Sequence, residues 1–112
     1  MKRGEIWWAD LPDPVASEPG YRRPLVIVQI DEFNLSPINT VVVVVLTTNL
    51  RLVQAPGNVL LKSLQTGLTK DSVANVSQLL TVDKSFLSEK VGKLRKPELQ
   101  KVESGLRLVL GL

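Results

Sequence analysis

Apolar residues follow two rhythms along this chain: short, β-branched blocks through its first nine-tenths, then helical spacing near the end. Residues 5–11, with Ile6, Trp7, Trp8 and Ala9, read as a strand that stops at Pro12-Asp13-Pro14. Residues 24–30 and 40–48 are too uniformly apolar for strands with one wet face, which predicts two central strands buried on both sides. Proline cannot donate to a ladder and biases its predecessor toward extended backbone, so the first of these is expected to begin just after Pro24. Between them, residues 31–36 fit a short helical turn with Asp31 as N-cap. Further strands are expected at 58–62, 72–76, 79–82 and 89–94, with a turn at 66–71 and a single helical turn at Asp83-Lys84-Ser85.

From Pro97 the apolar positions Leu99, Val102, Leu106, Val109 and Leu110 fall at helical spacing, with Pro97 in a first-turn position. Gly105 inside that helix costs about 1 kcal/mol relative to alanine, so packing on the sheet must hold the turn. Roughly five to seven short strands closed by one amphipathic helix make an α+β, mainly β molecule: a small β-barrel or half-barrel with a helical lid. The 112 residues are expected to form a single domain, 1–112, with no repeat or interdomain linker.

Composition narrows the chemistry. Fourteen Lys and Arg against eleven Asp and Glu leave a formal charge of +3, which permits an anionic partner without demanding one. There is no Cys, which excludes disulfides and thiolate metal sites. There is no His, so imidazole catalysis and the commonest neutral metal ligand are absent. No metal or cofactor is expected. The opening residues turn at once into a charged, strand-like segment unlike a signal peptide, and the apolar run at 41–46 is far too short to cross a bilayer, so the expectation is a cytoplasmic protein with no membrane contact.

Candidate chemistry gathers at Gly20-Tyr21-Arg22-Arg23-Pro24. Arg23 stands at the mouth of a buried strand, where a guanidinium with five donors and a permanent charge suits a phosphate; a solvated basic rim is the other reading of the same residues. The preceding loop, residues 14–20, carries Ser17, Glu18 and Pro19 and has a length often used for function.

Taken together, Arg3-Gly4-Glu5-Ile6-Trp7-Trp8-Ala9-Asp10-Leu11, Ser17-Glu18, Gly20, Arg23-Pro24, Thr47-Thr48-Asn49, Gly67-Leu68, Lys70-Asp71-Ser72-Val73, Gln78, Thr81-Val82-Asp83-Lys84 and Leu110-Gly111-Leu112 resemble the MazF/PemK family of toxin endoribonucleases. The resemblance runs the whole chain in the family's order. It implies an SH3-like barrel with a C-terminal helix, forming a homodimer, that cuts single-stranded RNA at a short preferred sequence without a metal. The ribose 2'-OH would attack the adjacent phosphorus, leaving a 2',3'-cyclic phosphate and a 5'-OH. Because that nucleophile belongs to the substrate, a chain lacking His and Cys can run the reaction by orientation and charge stabilisation. A MazE-like cognate antitoxin is implied as partner, with DNA reached only indirectly through the antitoxin complex.

By the same resemblance, Arg23 takes the catalytic position before the proline, Thr47 the strand-end hydroxyl that donates to a phosphate oxygen, and Ser17 and Glu18 the loop lining the RNA groove. Gln78 takes a base-contacting position, and Arg22 is a further candidate for phosphate. Two departures bear on mechanism. Ser77 stands where many relatives carry an acid proposed as general base, so the base is expected to be Glu18, another carboxylate such as Asp10, or solvent. Leu80 stands where relatives often carry a cation, so the preferred RNA sequence does not carry over. Non-enzymatic readings are a CcdB-type toxin that binds DNA gyrase and an inactive binding barrel; neither needs Arg23 and Thr47 facing a shared groove.

Overall fold

The computed structural model describes residues 1–17 and 20–112. Six antiparallel strands, β1 (Glu5–Leu11), β2 (Tyr21–Ile27), β3 (Thr40–Thr47), β4 (Val59–Leu61), β5 (Ser72–Asp83) and β6 (Leu87–Lys93), form one curled sheet, a half-barrel, in the order β4-β5-β3-β2-β1-β6. Helices α1 (Asp31–Asn34), α2 (Ser63–Thr66) and α3 (Lys96–Leu110) decorate it.

The all-apolar blocks became the centre of the sheet because they can bury both faces. Leu25, Val26 and Ile27 of β2 and Val43 and Val44 of β3 have no exposed surface. One face gathers Ile6, Val26, Val44, Leu46, Ala74 and, from α3, Val102; the other gathers Ala9, Leu25, Ile27, Val43 and Val82. The two tryptophans alternate as strand geometry requires: Trp7 packs against the second cluster, and Trp8 lies on the opposite face beneath the Arg22 guanidinium.

Several boundaries differ from the sequence reading. β2 begins at Tyr21, three residues before Pro24, and Pro24 pairs with Trp8 of β1. It is tolerated there because β3 joins β2 only from Leu25, so the missing N–H falls where the strand has a neighbour on one side alone. The two strands expected at 72–76 and 79–82 are one strand, β5, interrupted by a bulge: Val45 pairs with Asn75, but Val44 pairs with Leu79. Asp31 is not the N-cap of α1. Ile30 holds that place, and the Asp31 carboxylate instead accepts from the Arg3 N–H at 2.7 Å and from Asn34. Helix α2 and a 3₁₀ turn, Leu50–Gln54, occupy stretches to which the sequence reading gave no helix.

The closing helix starts at Lys96 with Pro97 in its first turn and ends at Gly111, whose φ of 70° is the left-handed cap conformation. Leu99, Val102 and Leu106 pack on the sheet as the spacing predicts. Val109 and Leu110 do not: they are 44% and 53% exposed, because the helix runs past the sheet in its last turn. Gly105 has a packing reason. A Cβ there would lie 2.0 Å from the Gly57 carbonyl oxygen, so only glycine lets helix and loop backbones meet.

Candidate active site

Antiparallel register brings Arg23 and Thr47 together. Leu25 pairs with Val45, and two residues further out, in opposite directions along the two strands, Arg23 comes opposite Thr47. Both line a cavity of about 210 Å3 together with Ser17, Val45, Leu52, Asn75 and Gln78. Four of the residues singled out from sequence, Ser17, Arg23, Thr47 and Gln78, therefore converge on one hollow.

Each side chain is held by local structure. Arg23 projects from a strand anchored by the buried Pro24 behind it, and its Nε donates to the Gly20 carbonyl at 3.2 Å. Among the described residues its two terminal amino groups have no protein partner, which leaves the fork open for an anion. The loop before it turns tightly: a Cβ on Gly20 would collide with Pro14. Ala16 and Tyr21 adopt positive φ of 54° and 60°, a strain of order 1–3 kcal/mol each.

Thr47 Oγ1 accepts from the Asn49 N–H at 3.1 Å. That bond uses a lone pair and leaves the hydroxyl proton available to donate. Asn49 in turn caps the 3₁₀ turn by accepting from the Arg51 N–H, and the turn places Leu52 in the cavity wall.

The bulge in β5 decides what its residues face. Before it, Asn75 shares the face of Val45; after it, Leu79 shares the opposite face with Val44. This change of parity sets Gln78 on the cavity side with Asn75. Asn75 is the polar lining residue that sequence reading missed. Its Oδ1 accepts from Asn58 Nδ2 at 3.2 Å and from Ser77 Oγ at 3.0 Å, which orients its amide and leaves the NH₂ without a protein acceptor among the described residues. The signal was present: a lone amide inside an apolar strand is a polar group that must be satisfied or used. Ser77, the departure from the acidic pattern, serves here to hold Asn75.

The remaining candidates lie elsewhere. Arg22 sits on the opposite face, 4.8 Å from the Trp8 ring centroid and paired with Asp10 at 3.5 Å and Glu89 at 3.2 Å, so it does not enter the cavity. Asp10 is on that face too and is not placed to serve as base. Glu18 lies outside the described residues. Arg23 is thus the one charged group among the described lining residues, and a guanidinium, two hydroxyls and two amides around a small hollow make a receptor for an oxyanion.

Known proteins are similar over the whole chain. A family described as PemK-like, MazF-like toxin of type II toxin-antitoxin system matches residues 2–110. The chain is 42% identical over 112 residues to endoribonuclease MazF6 of Mycobacterium tuberculosis, covering all of this chain and 98% of the relative. It is 34% identical over 113 residues to endoribonuclease EndoA of Bacillus subtilis, covering all of this chain and 96% of that one. A mycobacterial endoribonuclease solved in complex with its cognate antitoxin superposes with a TM-score of 0.80 at 26% identity, over 100% of this chain and 96% of the other. MazF of Deinococcus radiodurans superposes at 0.82 with 19% identity, over 100% and 97%, a likeness of fold.

Proposed function

Because the chain belongs to the PemK-like, MazF-like family of type II toxins, we propose that the cavity at Arg23 and Thr47 is the RNA-cleaving site of an endoribonuclease toxin. The enzyme class and the toxin role come with the family, whose endoribonuclease members match this chain end to end. The cleavage chemistry is our reading of the site. The substrate is single-stranded RNA, held with the scissile phosphate against the Arg23 fork and the Thr47 hydroxyl. The ribose 2'-oxygen bonds to phosphorus as its proton leaves, the bond to the 5'-oxygen breaks, and that oxygen takes up a proton; the ends are a 2',3'-cyclic phosphate and a 5'-OH.

The observation that carries this reading is the facing pair, Arg23 and Thr47, in a hollow whose described walls hold donors and no carboxylate. Donors fixed where charge develops stabilise a phosphorane without reorganising. Arg23 also donates a hydrogen bond to the leaving oxygen, which takes its proton from solvent. No described lining group can accept the 2'-OH proton, and Glu18, next to Ser17 in the chain, is assigned that role. Gln78, Asn75 and Ser17 contact bases or ribose. The reaction is read as needing no metal. A MazE-like antitoxin neutralises the enzyme, DNA is reached only through that complex, and the site of action is the cytoplasm. None of the described helices is long and apolar enough to cross a membrane.

The test is incubation of the pure protein with a mixed single-stranded RNA pool in EDTA, followed by mapping of the cut ends. We expect cleavage at a short recurrent sequence with cyclic-phosphate ends, and none where the sugar at the cut is 2'-deoxy. Activity lost in EDTA and restored by a divalent ion sinks the metal-free reading, and intact RNA under all conditions sinks the function.

A further inference from the structure

A second cavity, of about 260 Å3, opens on the other face of the sheet at the same strand ends. Arg23 and Thr47 line the first hollow, and their immediate neighbours Pro24 and Thr48 line the second, because successive strand residues alternate between faces. The two stand back to back across the rim where β2 begins and β3 ends. Trp8, paired with Pro24, and Leu68 complete an apolar wall, while Lys70 and Ser72 supply a polar one. Ser72 is 1% exposed, and its Oγ is the one buried side-chain polar atom among the described residues with no hydrogen-bond partner. Burying a hydroxyl unpaired costs about 1–3 kcal/mol. A hydroxyl kept that way in the wall of a hollow is suited to a ligand that bonds it.

Charge points the same way. Lys70 is exposed at the mouth, and Arg22 lies over the Trp8 ring. The Arg22 pairs with Asp10 and Glu89 join side chains that are roughly half to two-thirds exposed. Such pairs contribute about 0–1 kcal/mol and are readily exchanged for a phosphate.

From this juxtaposition we infer that the second cavity is a nucleotide subsite, taking one base that flanks the scissile phosphate. The base lies against Trp8, Pro24 and Leu68, Ser72 Oγ bonds its edge or its ribose, and Lys70 and Arg22 hold its phosphate. The volume falls below the roughly 300 Å3 at which drug-sized pockets begin, which suits one base rather than a folded strand. Stacking on an aromatic side chain contributes about 1–3 kcal/mol per base in single-strand binders, so the subsite helps choose the sequence that is cut. The inference rests on the endoribonuclease reading for its substrate class.

The experiment uses the full chain and RNA oligonucleotides with a 2'-deoxy sugar at the cut, lengthened one nucleotide at a time to either side of the minimal site. Binding is read as Kd and as tryptophan fluorescence. On one side, an added nucleotide should tighten binding about tenfold and quench emission, and Trp8→Phe should abolish the quench. Lys70→Met and Ser72→Ala should each lose most of that gain yet bind the minimal oligonucleotide like the wild type. Lys101→Met, which removes an exposed cation on α3, should change neither. Losses equal at every length, no loss at any length, or weakened antitoxin binding with RNA binding intact would each overturn the subsite. If the wild type binds these oligonucleotides but cuts no all-ribose RNA, the endoribonuclease reading falls while the length series still decides the subsite.

Discussion

Arg23 and Thr47, the proposed catalytic pair, need little packing because their backbone is fixed. Their strands are buried just beyond them, at Leu25 and Val45, so truncating either side chain removes a donor without opening the core. Arg23→Ala and Thr47→Ala should each lower kcat by on the order of 100-fold to 1000-fold, with an unchanged urea midpoint. Arg23→Lys should not rescue, since an ammonium keeps the charge but loses the planar fork. An Arg23→Ala enzyme cutting at the wild-type rate would end the mechanism. Glu18→Gln should slow cleavage at neutral pH and flatten the acidic limb of the rate profile; full activity would remove Glu18 as base and leave the rest standing. From sequence, Arg23 stood out as a cation beside a proline at the edge of an apolar block, although the strand starts three residues before that proline. Asn75 was passed over although a lone amide in an apolar strand is a readable signal, whereas Gln78 reaches the same side only through a bulge that no local pattern announces.

At the scale of elements, the contact between α3 and the loop before β4 is set by two glycines. Gly57 has φ of 84°, and Gly105 brings the helix backbone against its carbonyl. Gly105→Ala would gain about 1 kcal/mol of helix propensity. The 2.0 Å approach to a backbone oxygen has no flexible atom to yield, so the helix must move off the sheet. Overpacking of this kind costs about 1–3 kcal/mol, and a net loss of stability is expected, read as a lower urea midpoint with the same slope. A midpoint at or above the wild type would show that helix and loop separate without penalty. The helix itself was readable from its spacing, its proline and its terminal glycine. That its last turn would clear the sheet was not, since spacing reports which side of a helix is apolar and not how far the sheet extends beneath it.

Over the whole molecule, two properties remain to be measured. Glu5 is a buried carboxylate; burial raises its pKa, but hydrogen bonds from Trp7 Nε1 at 3.0 Å and the Lys2 N–H at 2.8 Å, with Lys90 at 3.0 Å, lower it by more, to below its ordinary 4.5. Asp31 and Asp83 are lowered too, chiefly by hydrogen bonds from the Arg3 N–H and from Ser85. A depressed carboxylate contributes stability that is fully present above its unfolded value and is lost as pH falls through its folded value. The urea midpoint should therefore drop as pH falls below about 4.5, and Glu5→Gln should lower it at pH 7 while flattening that drop; an unchanged acid slope would remove Glu5 as its source. The second property is association. Leu108, Val109, Leu110 and Leu112 leave an apolar surface at the end of α3, and we expect a homodimer by light scattering, with a mass near 12.4 kDa at micromolar concentration counting against it. The sequence by itself determined the strand blocks, the closing helix, the family and the residue types of the site, because these follow from local periodicity, backbone restriction and motif order. Tertiary structure alone decided which of Arg22 and Arg23 faces the hollow, that two expected strands fuse around a bulge, and that Asn75 and Gln78 meet Arg23 and Thr47. Those outcomes depend on register between strands distant in sequence, where a shift of one residue sends every side chain to the other face.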